Sequence, residues 1–166
     1  SFGGTADDMA YWGLRETRDG GFIVGGYSKS GADGNKSSLS FGDWDSWVVR
    51  LDINGDKLWE RAYGGSGEDG VFALEETADG GFILGGDSFS NVSGNKSSPG
   101  FGGKDAWVVR IDANGGVIWD RTLEGTGSDR LRGLKERANG DFVLGGFSPS
   151  TDGSKSSPNW GSDDYW

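Results

Sequence analysis

The sequence predicts an all-β protein, a β-propeller segment built from four-stranded antiparallel blades of 60 residues. Three observations point there: the chain repeats itself at a fixed step, each repeat splits into four short apolar runs, and glycine-rich turn sequences separate the runs. "RDGGFIVGGYS" at 18–28 returns as "ADGGFILGGDS" at 78–88 and as "ANGDFVLGGFS" at 138–148. "DSWVVRLDINGDKLWERAYGG" at 45–65 returns as "DAWVVRIDANGGVIWDRTLEG" at 105–125, again 60 residues on. At that step the 166 residues hold about 2.8 units, approximately 5–64, 65–124 and a shortened 125–166. Repeats of this length with several strands per copy mark propellers, where one sheet cannot bury both faces alone and stacks on its neighbours. A β-sandwich requires no such identity between its parts, and a parallel β-helix repeats at about 20–30 residues without hairpins.

The four strands of a unit are a to d. In the second copy they are "VFALEET" (71–77), "GFILGGDS" (81–88), "AWVVRID" (106–112) and "GVIWDRTL" (116–123). Each is of strand length, rich in β-branched or aromatic residues and bounded by Gly, Asn and Asp, and none is long enough for a helix. "ADGG" joins a to b and "ANGG" joins c to d as tight hairpins, with Asp-Gly or Asn-Gly supplying positive φ. Along strand c, Trp47, Val49 and Leu51 alternate with Val48 and Arg50, the two-residue period of a strand with unequal faces. A meander with these turns gathers the long b–c loops (28–45, 88–105, 148–163) and the d–a connections at one edge of the sheets.

Those b–c loops carry the passage "GNKSSLSFGDWDSW" (34–47), which recurs as "GNKSSPGFGGKDAW" (94–107) and "GSKSSPNWGSDDYW" (153–166). Loops of that length inside compact domains are functional or packed on themselves. The repeated residues are expected to build the blade. Ser37, Ser38, Ser97 and Ser98 bond nearby backbone; Phe41, Phe101 and Trp160 plug into their own unit; Asp45, Asp105 and Asp164 accept N–H groups at a strand entrance. The residues that break the repeat are the better ligand-binding candidates: Trp44, where the second copy has Lys104, and Trp160, where it has Phe101. Lys36, Lys96 and Lys155 recur at one position and are candidates for a ring of cations facing an acidic polysaccharide. The alternative is a solvated loop lysine, or one paired with its own unit's Asp.

Composition narrows the chemistry. The net charge is −10 without a basic patch, which argues against nucleic acid. No apolar stretch approaches membrane-span length, and no leader is evident at Ser1. With no Cys and no His, disulfides, thiolate metal sites and His-dependent triads are excluded. Low hydrophobic content (33%) would suit a disordered chain, but 13% aromatics, with eight Trp, indicates a folded, loop-rich one. "GADGN" (31–35) and "STDGS" (150–154) resemble oxygen-rich calcium loops, but the second copy, "NVSGN" (91–95), lacks the acid. No metal or cofactor is therefore expected, with calcium as the alternative. The acids are too many for chance pairs to single out a glycosidase dyad. "LDINGDKLW" (51–59) is similar to the tryptophan-docking repeat of quinoprotein dehydrogenases and, more loosely, to the sialidase Asp box. Both lock blades and imply a propeller without its cofactor.

The whole string, "D-x-W-V-V-R-[LI]-D-x-N-G-x-x-x-W…G-G-x-G-x-D…D-G-G-F-I-x-G-G-x-S", resembles the tandem repeats of large secreted and surface proteins of Bacteroidota and related bacteria. Many of those end in a type IX secretion sorting domain. The resemblance implies a propeller and an extracellular or cell-surface location; it implies no activity. The function expected is a non-catalytic scaffold or interaction module. Its alternative is a lectin-like propeller stacking glycans on Trp44 and Trp160, and a third reading is an enzyme whose active residues lie in other blades. Propellers close with about four to eight blades. Three units therefore imply self-association, most simply two chains in a six-bladed ring, or further blades of the same protein.

Overall fold

In the computed structural model, which describes residues 1–123 and 125–166 and only the backbone of Trp12, eleven strands form three antiparallel sheets. The first comprises β1 (Asp8–Glu16), β2 (Phe22–Ser28), β3 (Asp45–Leu51) and β4 (Lys57–Tyr63). The second comprises β5 (Asp69–Glu76), β6 (Phe82–Ser88), β7 (Asp105–Ile111) and β8 (Val117–Leu123). The third comprises β9 (Arg130–Glu136), β10 (Phe142–Ser148) and β11 (Asp164–Tyr165). Strand order within each sheet is chain order, so every unit is a plain meander, and no helix occurs among the described residues.

The turns explain the glycine spacing. Gly20 N donates to Thr17 O (2.8 Å) and Gly55 N to Asp52 O (3.1 Å), closing the short loops. Gly20 and Gly55 stand at φ 80° and 84°, where a side chain is strained, and among the described residues only glycines adopt positive φ. The preceding acids act through their side chains instead. Asp52 Oδ1 accepts from Asn54 N (2.9 Å) and Asp56 N (2.8 Å), fixing the turn before the ladder begins.

The first strand of each unit carries a bulge at the same place. β5 skips Phe72 between the pairs Val71↔Gly86 and Ala73↔Gly85, and β9 skips Arg132 between Leu131 and Gly133. In β1 the register shifts between Met9 and Gly13, so Ala10, Tyr11 and Trp12 fall in it. A bulge leaves its residue out of the ladder and turns it away from the paired face.

The sheets pack face to face, with β5 against β1, β2 and β3, and β9 against β5, β6 and β7. One core joins Ile23, Val48 and Tyr63 of the first sheet to Leu74, Leu84 and Trp107 of the second. Another joins Ile83 and Val108 of the second to Leu131, Phe142 and Leu144 of the third. The two interfaces reuse the same devices. Gly25 forms a socket that seats Leu74, whose Cδ2 would lie 2.8 Å from any Cβ at position 25. Gly85 seats Leu134 in the same way, also at 2.8 Å. Trp59 meets Phe82 at 6.2 Å between ring centroids, and Trp119 meets Phe142 at 6.4 Å. Trp59 Nε1 also donates to Ala113 O (3.0 Å) in the next unit's c–d turn, so the tryptophan of "LDINGDKLW" does dock on its neighbour. The a–b turns are tied to the next unit as well: Glu76 accepts from Arg18 N (2.8 Å) and Glu136 from Ala78 N (2.7 Å).

The unequal faces of strand c are both covered. Arg50 and Arg110 are buried at 5% and 6% exposure. Arg50 donates to Phe22 O (3.2 Å) and pairs with Asp19 (2.6 Å), and Arg110 repeats this with Phe82 O (2.9 Å) and Asp79. The guanidinium thus ties strand c to the a–b turn, and both faces of the strand are covered.

Candidate functional site

The long loops are held by carboxylates. Asp120, on β8, accepts from Ser97 N (3.0 Å), Ser98 N (2.9 Å), both serine hydroxyls and Trp107 Nε1 (3.0 Å). Glu60, on β4, takes the same place in the first unit, accepting from Ser38 N (2.8 Å), Ser37 Oγ (2.7 Å) and the Trp47 indole. The Ser-Ser pair therefore clamps the acid of the outer strand, which in turn orients the buried tryptophan. Burial pushes the Glu60 and Asp120 carboxyls up, but the serine and tryptophan hydrogen bonds outweigh it and hold both at about 2. Their ordinary values are 4.5 and 3.8, so the stability they contribute is present above those values and lost as pH falls through about 2. Urea midpoints measured from pH 6 down to pH 2 should fall over the acid end of that range. A Glu60→Gln/Asp120→Asn variant should be less stable at pH 6 and show a flatter profile.

The strand-entrance acids behave as the sequence suggests. Asp45 accepts from Phe41 N (2.7 Å), Asp105 from Phe101 N (2.8 Å) and Asp164 from Trp160 N (2.5 Å). The acids of the calcium-like loops serve as turn braces. Asp33 accepts from Thr5 N (2.9 Å) and Thr5 Oγ1 (2.6 Å), and Asp152 from Thr126 N (2.9 Å). Where the second copy has no acid, Ser93 Oγ accepts from Ser66 N (2.9 Å) and does the same work. Among the described residues, no three acids, histidines or cysteines gather to hold a metal.

The three lysines are neither a ring of exposed cations nor solvated loop lysines. Lys36, Lys96 and Lys155 are 3%, 2% and 2% exposed, and each ammonium is turned into its own loop. Lys36 Nζ donates to Ser30 O and Ser38 O, both at 2.8 Å. Lys96 Nζ donates to Ser98 O (2.5 Å) and Thr122 Oγ1 (2.9 Å), and Lys155 to Ser148 O (3.3 Å) and Asn159. Burial pulls the Lys36 and Lys96 ammonium groups below their ordinary pKa, opposed chiefly by Glu60 and Asp120. A lysine used this way closes a loop around its carbonyls and presents nothing to a polysaccharide.

The recurring loop aromatics do not plug into their own units. Phe41 leans over the next loop, where its Cβ would lie 2.9 Å from a Cβ at Gly94, and remains 40% exposed. Phe101 is 43% exposed and Trp160 is 91% exposed.

Trp44 sits elsewhere, at the mouth between the first strands of units one and two. There a cleft of about 280 Å³ is lined by Met9, Tyr11, Tyr27, Trp44, Phe72 and Glu68, together with Asp69, Asp87 and Lys104. Tyr27 is the hub. Its ring stacks on Tyr11 (5.6 Å, 27°), meets Trp44 nearly edge-on (5.0 Å, 81°) and tilts against Phe72 (6.1 Å, 58°). Burial, the Tyr11 hydroxyl and the charge of Glu68 push the Tyr27 phenol to about 12, so it is neutral at every physiological pH. Arg132 of the third unit lies 4.2 Å over the Phe72 ring and pairs with Asp87 at 2.8 Å. No protein-family model matches the chain, and no curated protein matches it.

Only Trp44 of the sequence-predicted candidates lines this cleft. Tyr11, Tyr27, Phe72, Glu68 and Asp87 were missed, yet the signal was present: "GGYS", "GGDS" and "GGFS" place Tyr27, Asp87 and Phe147 at one repeat position, and Phe72 stands where the third unit has Arg132. Several positions that differ between copies, though not that of Phe101 and Trp160, meet in this cleft, whereas the repeated ones build the loops.

Proposed function

We propose that the chain is a non-catalytic interaction module of propeller type, whose two free sheet faces pair between copies to close a ring. A knob without a socket, and a socket without a knob, carry this reading. Leu14 is the counterpart of Leu74 and Leu134, yet it stands 58% exposed on the free face of the first unit. Gly145 is the counterpart of Gly25 and Gly85, yet a Cβ there would meet nothing within 4 Å. Val143 beside it is 55% exposed. Apolar faces of this kind recruit partners, and a head-to-tail contact closes into a ring when its rotation allows. Two copies give six units, within the range of closed propellers. The repeated polar residues are engaged in loop bracing, which supports a scaffold over an enzyme, and the resemblance of the repeat favours an extracellular or surface setting.

Light scattering over a dilution series tests the proposal. The expected result is a species heavier than the 17.6 kDa chain, returned to monomer by Leu14→Glu or Val143→Glu with the melting transition retained. A 17.6 kDa species at all concentrations, or association indifferent to both substitutions, would sink the idea.

A further inference from the structure

We propose that the aromatic cleft between units one and two binds a compact organic cation, an alkylammonium head group. The cleft lies within one chain, so the inference stands apart from ring closure and goes beyond it.

Shape comes first. A sugar ring stacks best on an open, flat aromatic platform. Here the rings meet at 58° and 81° around Tyr27 and form a corner. A compact group entering a corner touches several rings at once. At about 280 Å³ the cleft lies just below the roughly 300–1,000 Å³ of pockets for drug-sized ligands, which suits a head group.

Charge comes second. Aromatic faces attract cations through the ring quadrupole, and aromatic cages are the common solution for quaternary ammonium. Two cations of this protein already use the rings here: Arg132 lies 4.2 Å from the Phe72 centroid, and Lys29 Nζ lies 5.7 Å from that of Trp44. Asp87 is engaged by Arg132 and Lys29 by Asp43, which leaves two lining carboxylates for an incoming cation: Glu68, exposed, and Asp69, buried and braced by Gly65 N and the Ser90 hydroxyl. Lys104 leans away onto Phe89, 4.6 Å from its centroid. A net charge of −10 draws cations toward the whole surface.

The third support is placement. The aromatic lining occupies positions where the three units differ: Phe72 at the bulge of the first strand, Tyr27 on β2 and Trp44 in the b–c loop.

Choline chloride, titrated against tryptophan fluorescence at constant ionic strength, is the probe. Saturable binding is expected, about tenfold weaker or worse for 3,3-dimethyl-1-butanol, which has the same shape without the charge. Glu68→Gln, a surface change checked by its melting curve, should weaken choline about fivefold and leave the neutral isostere unaffected. Trp44→Ala should remove binding. The titration is repeated on Leu14→Glu, so that loss of association and loss of the site are told apart. Equal affinity for choline and its isostere, absence of saturation, or saturable binding of methyl glucoside in place of choline would each overturn the proposal.

Discussion

Gly86→Ala is expected to lower stability by about 3 kcal/mol or more, among the largest effects of any single methyl group in this protein. A Cβ at Gly86 would land on the carbonyl oxygen of Gly70, well inside van der Waals contact, and the obstacle is backbone that cannot rotate aside. Gly26 faces Met9 O and Gly146 faces Arg130 O in the same way, so the close approach belongs to the bulge and is rebuilt in every unit. Relief requires β5 and β6 to part, which would also disturb the seat of Leu84 and Trp107 in the shared core. Gly133→Ala is the control, because a Cβ there meets nothing within 4 Å. Urea denaturation should shift the midpoint strongly for Gly86→Ala and little for Gly133→Ala, with equal slopes. Similar midpoints for the two would show that the strands adjust freely.

Asp120→Ala should cost about 3–5 kcal/mol, since it leaves five donors without their acceptor in a mostly buried place. The Lys96 ammonium loses the carboxylate that most opposes its desolvation at the same time. Asp120→Glu should recover much of the loss, because glutamate holds this position in the first unit as Glu60. The measurement is the urea midpoint together with limited proteolysis of the 88–105 loop, which should open in Asp120→Ala alone. If the alanine and glutamate variants were equally unstable, packing rather than hydrogen bonding would be what the carboxylate supplies.

The strands were legible because the period forced them: four apolar runs repeated at 60 residues leave little freedom, and the observed β5–β8 differ from the expected runs by two residues at most. The strand-entrance role of Asp45 was readable from its place before Trp47. The serine clamp was not, because its acceptor lies across the sheet on strand d and is Glu60 in one copy and Asp120 in the next. The lysines misled for a physical reason. A lysine in a polar loop reads as solvated, but a glycine- and serine-rich loop folded around its own ammonium can bury it against its carbonyls. The ion pair of Arg50 was not legible, since its partner Asp19 is 31 residues away in sequence. The cleft was half legible. Trp44 was singled out by contrast between copies, and applying that contrast to strands a and b would have reached Tyr27 and Phe72.

The unpaired residue at each bulge gives the copies a freedom that their other positions lack. Phe72 and Arg132 occupy equivalent sites, chemically opposite, without altering the ladder on either side. The first unit goes further and accommodates a longer excursion between Met9 and Gly13 while Leu14 and Glu16 return to register. Such a position is writable. A library randomised at residues 11, 27, 44 and 72 should therefore yield mostly folded proteins, because the cores between the sheets are built from other side chains.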